Sequence, residues 1–172
     1  MTQSVSAQTQ FEVEIETHIN GDVVRRSVKA RQHLADFVRD EMGLTGTHTG
    51  CEHGVCGSCS ILLDGSVVRG CLVLAAQADG KEVETIEGAS ERGVLRELQQ
   101  EFIQRNAAQC GFCTSGMLLT ANELLSSQQR LSRQEIREFM SGNFCRCTGY
   151  EAIIDSVEAV MNHRLAGRGD ES

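Results

Sequence analysis

The sequence predicts an α+β chain in two parts, a small sheet-rich unit followed by a helical one, each gathered around four cysteines. Three observations lead there. Period-two alternation punctuated by hairpin turns fills the first half. Apolar stripes at helical spacing fill the second. The eight cysteines divide evenly: Cys51, Cys56, Cys59 and Cys71, then Cys110, Cys113, Cys145 and Cys147.

The first strand is FEVEIETHI, with Phe11, Val13, Ile15 and Ile19 expected on the buried face. Asn20-Gly21 is a type I′ turn signal, and DVVRRSVKA returns as the partner strand. In QHLADFVRDEMG, Leu34, Phe37 and Val38 fall at helical spacing, and Gly43 can end the helix. Residues 43–59 read as a loop with glycines at 43, 46, 50, 54 and 57. SILLDGSVVRG is a second hairpin turning at Asp64-Gly65. CLVLAAQ is a short apolar run, and KEVETIEG reads as one more strand.

Four helices are expected after that. GVLRELQQEFIQ places Val94, Leu95, Leu98 and Phe102 on one face. TSGMLLTANELLSS carries Met117, Leu118, Ala121, Leu124 and Leu125. LSRQEIREFM opens with Ser132 and Glu135 at capping-box spacing and continues Ile136, Phe139, Met140. TGYEAIIDSVEAVMNH repeats that spacing at Thr148 and Glu151. Short links between them suggest a small bundle. The expected organisation is a disordered leader over 1–10, a first domain over 11–87, a four-helix domain over 88–165 and a disordered tail over 166–172. The Arg168-Gly169-Asp170 triplet in the tail reads as chance.

Composition narrows the function. The formal charge is −8 and only 4% of residues are aromatic, with no Trp. An acidic chain poor in stacking platforms is a poor fit to nucleic acid or an anionic membrane. No apolar stretch approaches the roughly 20 residues of a membrane span. MTQSVSAQTQ lacks the basic start and apolar run of a secretory signal, so a cytoplasmic chain is expected. In that compartment eight cysteines favour metal over disulfides.

Their spacing says which metal. Cys51-x4-Cys56-x2-Cys59, with Cys71 further on, is the plant-type spacing of a [2Fe–2S] cluster. Three thiolates must converge from one tight loop, and glycines let the backbone turn around the cluster. Zinc, the competing reading, usually takes two separated pairs. Cys51-Glu52-His53 resembles half of a Rieske motif, but the second half is missing. His53 then stands beside the site or at the surface, and Glu52 is a solvated charge.

The second set is Cys110-x2-Cys113 with Cys145-x-Cys147. Each pair is expected at a helix N-terminus, where free N–H groups and positive potential favour thiolates. Two such ends would form a second four-thiolate cup, with Arg146 pointing outward. An oxidised all-thiolate cluster carries about −2, so two would take the formal −8 to about −12. No phosphate loop, nucleophile–base pair or dinucleotide fingerprint accompanies them.

GCEHGVCGSCSILLDG, QCGFCTSGM and GNFCRCTGY together resemble the small iron–sulfur subunit of the molybdenum hydroxylases, the xanthine oxidase, aldehyde oxidoreductase and carbon monoxide dehydrogenase family. The resemblance spans about Phe11 to about His163. It implies an N-terminal β-grasp plant-type ferredoxin domain followed by a C-terminal four-helix [2Fe–2S] domain. It implies a large partner subunit with a molybdopterin-type cofactor and a medium FAD subunit, in a heterotrimer or a dimer of heterotrimers. Electrons would pass from the molybdenum–pterin centre to the helical-domain cluster, then to the ferredoxin-domain cluster, then to FAD. By the same resemblance Gln109 and Cys147 lie against the pterin. Ser58 departs from the family, which often has alanine there.

Two other functions remain open on the residues alone: a free-standing two-cluster electron carrier and a structural zinc protein. A small separate chain suggests the bacterial heterotrimeric arrangement. The loop THTGCEHGVCGSC suggests the branches acting on N-heterocycles or acyl-CoA thioesters.

Overall fold

The computed structural model describes residues 11–167. The expected leader and residues 168–172 of the expected tail, with the Arg168 triplet, lie outside them. Strands β1 (Glu12–Ile19) and β2 (Asp22–Lys29) form the first hairpin, with Ile19 opposite Asp22. Asn20 and Gly21 sit at φ 53° and 93°, as a type I′ turn requires. The buried face differs from expectation. Ile15, Thr17 and Ile19 are buried, whereas Phe11 is 80% exposed and Val13 is also exposed. The packed layer beneath, including Leu34, Phe37, Ala75 and Ala78, covers Ile15 and Ile19 of β1 and Val24 and Val28 of β2 but leaves the start of β1 open.

Helix α1 (Leu34–Asp36) continues as a wider π turn over Phe37–Glu41, and Gly43 at φ 71° ends it. Strands β3 (Ser60–Leu63) and β4 (Ser66–Arg69) make the second hairpin across Asp64 and Gly65, both at positive φ. CLVLAAQ contributes a 3-10 turn over Ala75–Ala78. Strand β5 (Glu82–Glu84) completes a five-stranded sheet of order β2-β1-β5-β3-β4. It pairs parallel to β1 and antiparallel to β3, so the sheet is mixed.

The strand expected over KEVETIEG stops at Glu84. Thr85 instead leads into α2 (Ile86–Glu91). Asn20 holds this junction: its carboxamide oxygen accepts the Thr85 N–H at 2.9 Å, and its amide donates to the Thr85 hydroxyl at 3.0 Å. A side chain longer than Gly88 would collide with Asn20.

Helices α3 (Arg96–Gln104), α4 (Thr114–Ser126), α5 (Arg133–Met140) and α6 (Glu151–Ala166) follow. α4 packs against α3, α5 and α6, and α6 also against α3 and α5. Leu95, Leu98, Met117, Leu119, Ile136, Met140, Ile153 and Ile154 fill the space between them. Val94 and Phe139 were expected there and are exposed. Val94 precedes the helix, in the turn that Gly93 opens at φ 76°. The Ser132–Glu135 capping box is present, with reciprocal bonds between each side chain and the other's backbone N–H. α6 continues through Ala166, one residue into the expected tail.

The halves touch closely. Leu62 of β3 and Ala89 of α2 belong to the helical core cluster, and α4 packs on β3 and β4. Glu123 of α4 accepts the Val67 N–H at 2.7 Å. Among the described residues no helix is long and apolar enough to cross a membrane.

Candidate metal centres

The loop after α1 turns sharply because Glu52, Gly54 and Gly57 take positive φ values of 58°, 82° and 76°. That path brings the Cys56 N–H within 3.3 Å of the Cys51 sulfur. The His53 N–H, then that of Cys56, lower the Cys51 thiol to about 6. The His53 ring nitrogen meets the Cys51 carbonyl, and both His53 and Glu52 are exposed. Cys59 and Cys71 face one another in a buried pocket beside Ala35. The Gly70 N–H donates to the Cys59 carbonyl at 3.0 Å, which fixes that pair across the hairpin. Burial pushes the Cys59 thiol up to about 11. A thiolate there needs a cation beside it.

The second set is built from two turns. Cys113 is the N-cap of α4 and buried, and burial raises its thiol to about 12. Cys110, one turn earlier, is exposed, and its sulfur lies 3.5 Å from that of Cys147. Cys113 and Cys145 form the other facing pair. Burial opposes ionisation of Cys145. The Thr148 hydroxyl at 3.1 Å, with the N–H groups of Cys147 and Thr148, overcomes it and lowers the thiol.

One expectation fails at this point. Thr148 and Glu151 do not form a capping box. Tyr150 occupies the N-cap of α6 at φ 69°, and its hydroxyl accepts the Cys145 N–H at 2.8 Å. The Thr148 hydroxyl is occupied by the Cys145 sulfur instead. Cys145 and Cys147 lie in the turn that leads into α6. Arg146 is exposed at the rim, and Gln109 is exposed next to Cys110.

Cys51 and Cys56 open onto the same cleft as Cys110, Cys113, Cys145 and Cys147, a space of about 630 Å³ that Phe112, Phe144 and Tyr150 also line. The two loops are bonded to each other. The Phe144 N–H donates to the Cys56 carbonyl at 2.8 Å. His48 stacks on Phe112 with centroids 4.8 Å apart, and its ring nitrogen lies 2.9 Å from the Phe112 carbonyl. Asn143, 1% exposed, donates to the Gly57 carbonyl at 3.4 Å and accepts from Thr120 and Arg69. Gly116 must be glycine here, since a Cβ would stand 2.3 Å from the Gly57 carbonyl oxygen. Sequence reasoning assigned no role to His48, Asn143, Arg69 or Gly116. Only the position of His48 in the cysteine loop hinted at one.

The arrangement fits [2Fe–2S] groups. The sulfurs come as facing pairs, four per set, and a two-iron cluster takes four thiolates. The N–H groups aimed at Cys51 and Cys145 are the donors that stabilise a reduced cluster.

Comparison with known proteins agrees with the two sets. A family model described as a 2Fe-2S iron-sulfur cluster binding domain matches residues 17–90, and a [2Fe-2S] binding domain model matches residues 85–158. The chain is 49% identical over 156 residues to caffeine dehydrogenase subunit gamma of Pseudomonas sp. strain CBB1, covering 89% of this chain and 93% of the relative. It is 50% identical over 145 residues to the nicotine 6-hydroxylase small subunit of Paenarthrobacter nicotinovorans, covering 84% and 87%. Its structure superposes on quinoline 2-oxidoreductase from Pseudomonas putida 86 with a TM-score of 0.84 and 51% identity, over 92% of this chain and 98% of that one.

Proposed function

The chain belongs to the small iron–sulfur subunits of the molybdenum hydroxylases, and from that premise we propose how its residues serve the relay. It is the electron-transfer subunit of an oxidoreductase complex and carries two [2Fe–2S] clusters. Bound clusters supply one-electron redox chemistry. We assign Cys51, Cys56, Cys59 and Cys71 to one cluster, and Cys110, Cys113, Cys145 and Cys147 to the other. The observation that carries this reading is that both sets open on one cleft and are joined by the Phe144–Cys56 main-chain bond.

Cys147 and Gln109 are the residues proposed to meet the pterin of the large subunit. Both are exposed at the outer edge of the second set, where another chain can reach them. The Gln109 amide offers a donor and an acceptor to a heterocycle edge. Cys59 and Cys71 are buried beside Ala35 of α1, whereas Cys51 and Cys56 are partly exposed, so the exit is assigned to the Cys51 and Cys56 side. Electrons leave there to a medium FAD subunit. The division into a β-grasp ferredoxin domain over 11–87 and a four-helix domain over 88–165 belongs to the same proposal. So do a heterotrimer, or a dimer of heterotrimers, and a cytoplasmic location.

The substrate class proposed for the complex is an N-heterocycle. The names of the relatives at 49–51% identity carry caffeine, nicotine and quinoline, which share a ring nitrogen beside an oxidisable carbon.

The test is iron and zinc content with low-temperature EPR of the dithionite-reduced protein. About four irons per chain and two distinct S = 1/2 signals support the assignment. Stoichiometric zinc without either signal overturns it.

A further inference from the structure

Arg69 ends β4, two residues before Cys71, and reaches across to the other half of the chain. Its guanidinium donates to the Ser60 hydroxyl, to the Gly142 carbonyl at 2.8 Å and to the Asn143 carboxamide oxygen at 3.0 Å. Ser60 follows Cys59, and Asn143 lies two residues before Cys145. One side chain thus grips the chain beside both cysteine sets. All three acceptors are neutral. A guanidinium satisfied only by neutral groups keeps its full positive charge, and arginine does not deprotonate in proteins.

We propose that Arg69 is a positioning residue and a standing countercharge between the two clusters. The inference rests on the two-cluster reading above. A bound cluster would go from about −2 to about −3 as one Fe(III) took one electron and became Fe(II), with dithionite or the molybdenum subunit as donor. A fixed cation held against both loops stabilises each added electron and offsets the repulsion between two reduced clusters. Nη1 holds Ser60 on one loop while Nη2 donates to both Gly142 and Asn143 on the other, which fixes the register of the two loops. That register also carries the Phe144–Cys56 bond.

The experiment compares wild type, Arg69→Gln and Arg69→Lys in the assembled complex. It reads iron content, EPR-monitored potentials of both clusters and the magnetic splitting seen when both are reduced. Arg69→Gln is expected to keep four irons and lower the reduction equilibrium of each cluster roughly tenfold, a shift of about 59 mV for a one-electron couple. Arg69→Lys keeps the charge and loses the fork, so its potentials stay within about twofold of wild type while the splitting changes. Arg69→Gln with unchanged potentials and full iron overturns the countercharge. If Arg69→Gln loses iron, Arg69→Lys decides, and a tenfold fall there overturns the proposal. Wild type lacking two EPR signals sinks the two-cluster reading itself, which is a separate result.

Discussion

The two cysteine sets face one cleft but differ in what shields them. The first is half enclosed: Cys59 and Cys71 are buried beside Ala35 of α1, and Cys51 and Cys56 approach the opening. The second is shallow. Cys113 is buried beneath it, while Cys110 and Cys147 are exposed. The first set is complete as a pocket within this chain. The second is left open at its outer edge, the side proposed above to meet the large subunit. A relay needs that asymmetry, because electron transfer falls off with distance and one cluster must come close to a cofactor held elsewhere.

The sharpest way to break the comparison is Cys147→Ser. It removes a proposed ligand from the open site alone, so iron should fall from about four to about two per chain. The EPR signal of the first cluster should survive under dithionite, yet substrate added to the complex should no longer reduce it. Substrate reduction at the wild-type rate would mean that electrons enter elsewhere.

Gly116→Ala comes next and acts where the two sets meet. Helix propensity alone favours alanine in α4 by about 1 kcal/mol. The contact with the Gly57 carbonyl opposes it, because backbone cannot move aside as a side chain can. The expected net effect is a loss of about 1–3 kcal/mol in thermal or denaturant unfolding, with both EPR signals broadened. A stabilised variant would show that the loops are free to part.

Thr148→Val sharpens the electronic side. It deletes the hydroxyl bonded to the Cys145 sulfur and keeps the shape. The second cluster's potential should drop by roughly 20–40 mV, the equivalent of a hydrogen bond worth about 0.5–1 kcal/mol. The first cluster's potential should stay put, which an EPR-monitored titration reads directly.

The smallest effect belongs to Glu97 in α3, whose bond to Arg164 of α6 lies away from both sets. Arg164 holds the Glu97 carboxyl below its ordinary value, with burial opposing and His163 adding a minor pull. A folded-state value below the unfolded one stabilises the fold above about pH 4.5. That contribution is lost as pH falls through the lowered value. Glu97 is 42% exposed, so about 0.2–1 kcal/mol is expected. Unfolding curves of wild type and Glu97→Gln should differ by that amount at pH 7 and converge in acid, with both cluster potentials unchanged.

Much of this was readable from the chain because it is local. The hairpin turns at Asn20-Gly21 and Asp64-Gly65, the Ser132 cap and the C-x4-C-x2-C loop each depend on neighbours a few residues away. What the sequence hid is contact across long separations. His48 meets Phe112, Asn143 meets Gly57, and Arg69 meets Gly142, and no periodicity marks such pairs. Thr148 was misread for a related reason. Its spacing to Glu151 matches a cap, but the Cys145 sulfur is a nearer partner for the hydroxyl. Phe11, Val13 and Phe139 have the right periodicity and the wrong surroundings. Alternation shows which residues share a face, not where the covering layer ends.

The Phe144–Cys56 link is made of main chain on both sides. No codon change at either position removes its donor or acceptor, short of proline at 144. Substitutions at Phe144, which is half exposed, can therefore reshape the outer surface while the inner connection stays as it was. The chain can change its face over evolutionary time without rebuilding the junction between its own two halves.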